Sequence, residues 1–223
     1  MAEEGLRERK KRATRQLISN VATGLFVSRG FDAVTVAEIA DAAGVSKMTV
    51  FNYFPRKEDL FLDRHADRLR ELEAVVRDRP AGEPVVVALR RHQHELLAAR
   101  HPLSGAIEGA RGFWYILRGS PALMARFHEQ EREIADVLAA VLGEETGDPV
   151  RSRMVAGLLT ATISTIFATA VTRLVAGDKA EDVQRDQVAV IDQAFELCEH
   201  GVGGFPEARK KRAPGKRTAQ PKT

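Results

Sequence analysis

The stretch from Thr35 to Leu60, TVAEIADAAGVSKMTVFNYFPRKEDL, constrains the fold more than any other part of the chain. Thr35 precedes an apolar-periodic run, and Glu38 follows three residues later. This spacing predicts a capping box: the Thr35 hydroxyl accepts from a first-turn N–H, and the Glu38 carboxylate accepts from the Thr35 N–H. The helix that starts there runs over about residues 36–43, and Gly44 has the freedom to leave it in a left-handed conformation. Ser46 is placed to cap a second helix. Pro55 stops that helix at about Tyr53 or Phe54, because proline lacks an N–H and disfavours helical geometry in the residue before it.

Ala40, Gly44 and Val50 have the spacing of a helix-turn-helix, with a small residue at the crossing, glycine in the turn and a branched apolar residue facing inward. Ile39, Ala43, Val45 and Val50 are expected to supply the apolar contacts between the two helices. The run GVSKMTVFNYFPRKEDLF, residues 44–61, resembles the DNA-binding signature of TetR-type bacterial repressors. The resemblance extends upstream through Leu17, Val21, Leu25 and Phe26 to Arg29-Gly30-Phe31, covering about residues 10–62. It implies a three-helix head followed by a helical C-terminal domain that dimerises through its last two helices and binds a small molecule that alters DNA affinity. A helical hairpin that serves only the core is the competing reading of the same residues.

Stepping 100° per residue from an inward Val50 turns Met48, Thr49, Phe51 and Asn52 outward, with Lys47 and Tyr53 at the borders and Ser46 and Phe54 returning towards the core. The outward face carries no charge, which suits the reading of base edges. Asn52 can pair bidentately with adenine, and Met48 and Phe51 offer apolar surface to thymine methyls. Lys47 and Thr49 are placed for phosphates, or Lys47 for a guanine. The resemblance adds Thr35 and Lys57 as phosphate contacts at the starts of two other helices. Ser46 and Tyr53 complete the candidate DNA-binding set on this segment. Three positions depart from the common TetR pattern: Met48 stands for a frequent glycine, Phe51 for a frequent tyrosine and Tyr53 for a frequent histidine.

The net charge of +3 conceals a division. Residues 1–15 carry six basic and three acidic side chains, and residues 207–223 carry seven basic and one acidic, so the intervening chain is net negative. Positive charge concentrated at the ends is placed to reach phosphates. The segment RERKKRATR, residues 7–15, resembles the minor-groove arms that precede other major-groove readers. Arg9, Lys10, Lys11 and Arg12 are its candidate contacts.

The coarse reading is all-α, with nine helices and no period-two strand. Residues 1–9 form a disordered basic arm and 10–55 the helix-turn-helix domain. A ligand-binding and dimerisation domain covers 56–201, and a disordered basic tail covers 202–223. A single helix is expected over about 56–78, then others over 85–100, 104–118, 120–142, 149–176 and 181–200. Residues 154–171 lack any charge, near the lower limit for a membrane span. Five of them are Ser or Thr and no aromatic belt flanks them, so a nearly all-buried core helix is expected and no membrane partner. Cys198 lies in an apolar periodic stretch and reads as a small hydrophobe. The charged N-terminal run is unlike a signal peptide, and a cytoplasmic location is expected.

Phe113, Trp114, Phe127 and Phe167 are the candidate lining of an apolar ligand pocket, with Arg111 and Arg118 near enough in sequence to meet an anion. Enzyme activity is not expected. His92 and His94 are two apart on a helix and point away from each other, and no HExxH, CxxC, GxSxG or phosphate loop is present, so neither metal nor cofactor is expected. The expected partners are double-stranded operator DNA, a second copy of the chain joined through the helices at about 149–176 and 181–200, and a small-molecule inducer. The alternative is a nonspecific or architectural DNA-binding protein without an inducer.

Overall fold

The computed structural model describes residues 5–201, and every regular element among them is helical. The head consists of α1 (Leu6–Arg29), α2 (Val36–Ala42) and α3 (Lys47–Tyr53). Two short pieces, α4 (Lys57–Phe61) and α5 (His65–Arg77), lead into the body. The body continues with α6 (Val85–Ala98), a 3-10 turn at Pro102–Ser104, α7 (Ala110–Gly119), α8 (Pro121–Thr146), α9 (Pro149–Ala176) and α10 (Ala180–His200).

Local chemistry sets many of the helix ends. Ser120 precedes Pro121 at the first position of α8, and Asp148 precedes Pro149 at the first position of α9, where the missing proline N–H costs nothing. The Asp148 carboxylate accepts from the Arg151 N–H at 3.0 Å. Gly177 ends α9 in the left-handed region at φ 107.

Four boundaries differ from the sequence reading. The single helix expected over 56–78 is broken at Leu62–Arg64, giving ten α-helices among the described residues instead of nine. Leu62 leaves helical geometry at φ −95, ψ 38, and α1 holds the break. Arg15 donates to the Asp63 carbonyl at 2.6 Å, and the Ser19 hydroxyl donates to the Asp63 carboxylate. The helix expected from Ser104 begins only at Ala110, because Gly105 turns left-handed at φ 73 where a Cβ would come 3.0 Å from Phe167. Helix α8 passes through Gly143 to end at Gly147. Its last turn is held by Val141 and Leu142 in the core and by Glu144 and Glu145, which pair with Arg77 and Arg79.

The fourth difference concerns the arm. Helix α1 starts at Leu6, so Arg9, Lys10, Lys11 and Arg12 sit on a helix and not on an extended arm. Gly5 precedes it and Glu8 lies in its first turn, where the helix dipole favours negative charge. Residues 1–4 and the basic tail expected over 202–223 lie outside the described residues.

Two apolar cores result. Ile18, Phe26, Ile39, Val50, Phe54 and Leu60 are at most 2% exposed in the head core, which Leu117 of α7 and Leu123 of α8 complete. The body core is built on the α8–α9 pair and α10, with Leu138, Leu159, Ile191 and Phe195 buried. Helix α9 is less buried than the sequence suggests. Its most apolar window has a mean hydropathy of 1.8, enough by length and composition to cross a membrane, yet only 39% of that window is buried. Met154 and Leu158 are 71% and 52% exposed on its open face.

Candidate nucleic-acid interface and cavity

The turn before α3 is built by short-range hydrogen bonds. Gly44 adopts φ 64, and the Val45 N–H reaches back to the Ala40 carbonyl at 3.0 Å. Ser46 then accepts from the Thr49 N–H at 3.0 Å, and its hydroxyl also pairs with that of Thr49 at 2.8 Å. Val50 is fully buried and Phe54 nearly so, with the Arg15 guanidinium 4.8 Å over the Phe54 ring. One face of α3 is therefore fixed to the head.

Its other face is open. Met48 is 69% and Phe51 39% exposed, and Lys47 and Asn52 are exposed beside them. None of these four has a place in the core, so the projected outward face holds for Met48, Phe51 and Asn52. Thr49 is half-buried, its hydroxyl engaged by Ser46. Tyr53 is half-buried against the head core. Ser46 is exposed where the projection turned it inward, because a capping residue stands outside the helical path.

Both flanking candidates are occupied within the protein. The Thr35 capping box is complete: its N–H donates to Glu38 at 2.8 Å and its hydroxyl accepts from the Glu38 N–H at 3.2 Å. That backbone N–H, with Arg29 at 2.7 Å and the Thr35 hydroxyl, lowers the Glu38 pKa to about 2. Lys57 is turned inward. Its ammonium donates to the Phe31 carbonyl at 2.6 Å and lies 4.1 Å over the Phe31 ring, and burial lowers its pKa. A phosphate contact by Lys57 would need this ammonium to leave Phe31. On α1, Arg9, Lys10, Lys11 and Arg12 are exposed.

Behind the head lies a cavity of about 720 Å³. Its walls come from both halves of the molecule: Asn20 and Thr23 of α1, the Leu62–Arg64 break, and residues of α5, α7, α8 and α9. Of the predicted lining, Phe113, Phe127 and Phe167 are present. Trp114 is not; it stands in the layer behind, edge-on to Phe127 at 6.1 Å and to Phe167 at 6.3 Å. The break in the chain brings Phe61 into the wall, stacked on Phe113 at 4.8 Å. Arg111 and Arg118 do not line the cavity; Arg111 reaches the Val175 carbonyl at 3.5 Å instead. Two arginines do line it, exposed Arg64 at the break and half-buried Arg68 on α5, and no local pattern distinguishes Arg68 from its neighbours on an amphipathic helix.

Comparison with known proteins agrees with this geometry. Residues 18–63 match the model of bacterial regulatory proteins of the tetR family. Over 166 residues the chain is 30% identical to the HTH-type transcriptional regulator TcmR of Streptomyces glaucescens, covering 70% of this chain and 73% of that one. The chain belongs to the TetR family. It is a DNA-binding transcriptional regulator and not an enzyme. Members of the TetR family bind operator DNA, act as dimers and bind small molecules. Among solved structures it is similar to Thermus thermophilus FadR, a TetR-family repressor in complex with lauroyl-CoA, at 28% identity over 90% of this chain and 99% of that one, with a TM-score of 0.51. NalD, a repressor of the MexAB-OprM efflux pump in Pseudomonas aeruginosa, shares the fold at 18% identity and a TM-score of 0.53 over 83% of this chain and 96% of that one.

Proposed function

We propose that this TetR-family regulator is a cytoplasmic, homodimeric repressor that reads a palindromic operator through α3 and leaves it when a small molecule fills the cavity. The observation that carries this reading is the face of α3. Met48, Phe51 and Asn52 project from a helix pinned by buried Val50, and none of them has work to do inside the fold. An uncharged projecting face suits base-edge contact, whereas a nonspecific DNA protein would concentrate charge there.

Dimerisation is assigned to α9 and α10. Met154 and Leu158 on α9, with Val188 and Leu197 on α10, leave apolar surface open on the two last helices. A two-fold pair of heads would address half-sites about 34 Å apart or a multiple of that. Release by a small molecule is supported by the cavity wall, which joins α1 of the head to the body. The repressor FadR, in complex with lauroyl-CoA, is a similar chain that holds an organic ligand.

Footprinting and gel-shift titration on the DNA upstream of the regulator's own coding region test the reading. We expect a short, symmetric protected site. Asn52→Ala should weaken binding there by about 1–3 kcal/mol, with much less loss on random DNA. Protection spread without sequence preference, or equal loss on both DNAs, would sink it.

A further inference from the structure

Arg68 lies on α5 just past the chain break and lines the cavity between head and body. Its guanidinium makes no hydrogen bond or ion pair with any described residue. Other arginines of the body are paired: Arg77, Arg79, Arg91, Arg126 and Arg173 each hold a carboxylate. Burial lowers the Arg68 pKa, and the nearby charge of Glu131 opposes that shift. Glu131 forms no direct ion pair with it; its carboxylate accepts from the Ser164 hydroxyl and lies 3.4 Å from His128. A guanidinium cannot shed its proton in a protein, so Arg68 remains a half-buried cation with Glu131 nearby but no direct ion-pair partner among the described residues. Such a charge is costly unless something pairs with it.

Most of the remaining wall surface is apolar, although Asp63, Arg64 and Glu131 also border it. Phe61, Phe113, Phe127, Phe167 and Ile107 give the cavity a mostly apolar surface, and about 720 Å³ is within the range of sites that enclose small organic molecules. The cavity thus offers the planar, five-donor guanidinium of Arg68, with exposed Arg64 at its border, against an aromatic wall. That pairing selects for a compound with an anionic group at one end and an apolar body.

We propose that the cavity binds an organic anion with an apolar body, its anionic group paired with Arg68 and its body against Phe113, Phe127 and Phe167. This rests on the reading of the chain as a ligand-controlled regulator and adds the chemical class of the ligand. Asn20 and Thr23 of α1 form part of the same wall, so an occupant touches the DNA-reading head and the body at once.

The test uses the full chain and two dyes that differ by one group. 8-Anilino-1-naphthalenesulfonate carries a sulfonate, and N-phenyl-1-naphthylamine has the same rings without it. Arg68→Met should weaken the sulfonate dye by about tenfold or more, a loss of one charge-assisted pair, and leave the neutral dye within about twofold. Equal weakening of both dyes, or of neither, would overturn the proposal. If Arg68→Met does not melt cooperatively, displacement of the sulfonate dye from the wild-type chain decides. Dodecanoate should then displace it at a concentration about tenfold lower than dodecanol, and equal potency would overturn the proposal. Operator release is read separately by gel shift. Arg68-dependent binding without release of DNA would uphold this site and refute ligand control instead.

Discussion

Arg126 of α8 donates through Nε to the Asp59 carboxylate of α4 at 2.7 Å, across the boundary between head and body. The two side chains are only 13% and 16% exposed. The same guanidinium holds Glu133 at 2.5 Å and Glu129 at 3.2 Å, and Glu133 in turn pairs with His65 at 2.5 Å. Arg56 joins Glu129 at 2.6 Å, and the Ser120 hydroxyl donates to Asp32 at 3.0 Å. These contacts tie α4, the start of α5 and the head to the stretch of α8 that also carries Phe127, Gln130 and Glu131 of the cavity wall. A movement of α8 therefore has a polar route to the head.

Arg126→Ala should lower unfolding stability by about 2–3 kcal/mol, because it strips Asp59 of its charged donor in a largely buried place. Arg56→Ala breaks a pair with both partners well exposed and should cost well under about 1 kcal/mol. Urea denaturation of the two variants measures the contrast. Equal losses would mean that the Arg126 network carries no more than an ordinary surface pair.

Removal of residues 1–12 takes away Arg7, Arg9, Lys10, Lys11 and Arg12. If these reach phosphates from the first turns of α1, the slope of log affinity against log salt becomes shallower by about 0.9 per lost contact. Affinity titrations at several salt concentrations report this. An unchanged slope would make the N-terminal turns of α1 spectators on DNA.

Gly44→Ala should destabilise the head by about 1–2 kcal/mol, since a Cβ strains the left-handed conformation at φ 64. A Cβ built at that position meets no atom within 4 Å, so the penalty belongs to the backbone and not to a clash. Gly109→Ala, also with open space and without a positive φ, serves as the control and should be near neutral or stabilising. Thermal melts of the pair distinguish backbone strain from packing.

Burial holds the His65 pKa below its ordinary 6.5, although the hydrogen bond and charge of Glu133 pull it upward. The unfolded chain therefore takes up a proton in a pH range where the native imidazole stays neutral. Stability from this group is complete above about pH 6.5 and is lost as the pH falls below it towards the depressed native value. His65→Gln keeps a donor for Glu133 and does not titrate, so its stability should fall less between pH 7 and 5 than that of wild type. His92, also lowered by burial, remains in both proteins. Parallel pH profiles would remove His65 from the acid sensitivity.

What the sequence determined by itself is the head's local architecture. The capping box of Thr35 and Glu38, the left-handed Gly44, the Ser46 cap and the Pro55 stop all act between residues no more than a few positions apart, so their spacing in the chain is already their geometry. Helical periodicity about Val50 likewise placed Met48, Phe51 and Asn52 outside, because a single rotation relates them. Contacts between distant segments decided the rest. Arg15 and Ser19 of α1 break the chain at Asp63, Phe31 draws in the ammonium of Lys57, and packing sets Trp114 behind the cavity wall while Phe61 and Arg68 enter it. Each depends on a partner more than ten positions away. A local pattern encodes which face of a helix is apolar, but which neighbour that face meets is fixed only when the helices pack.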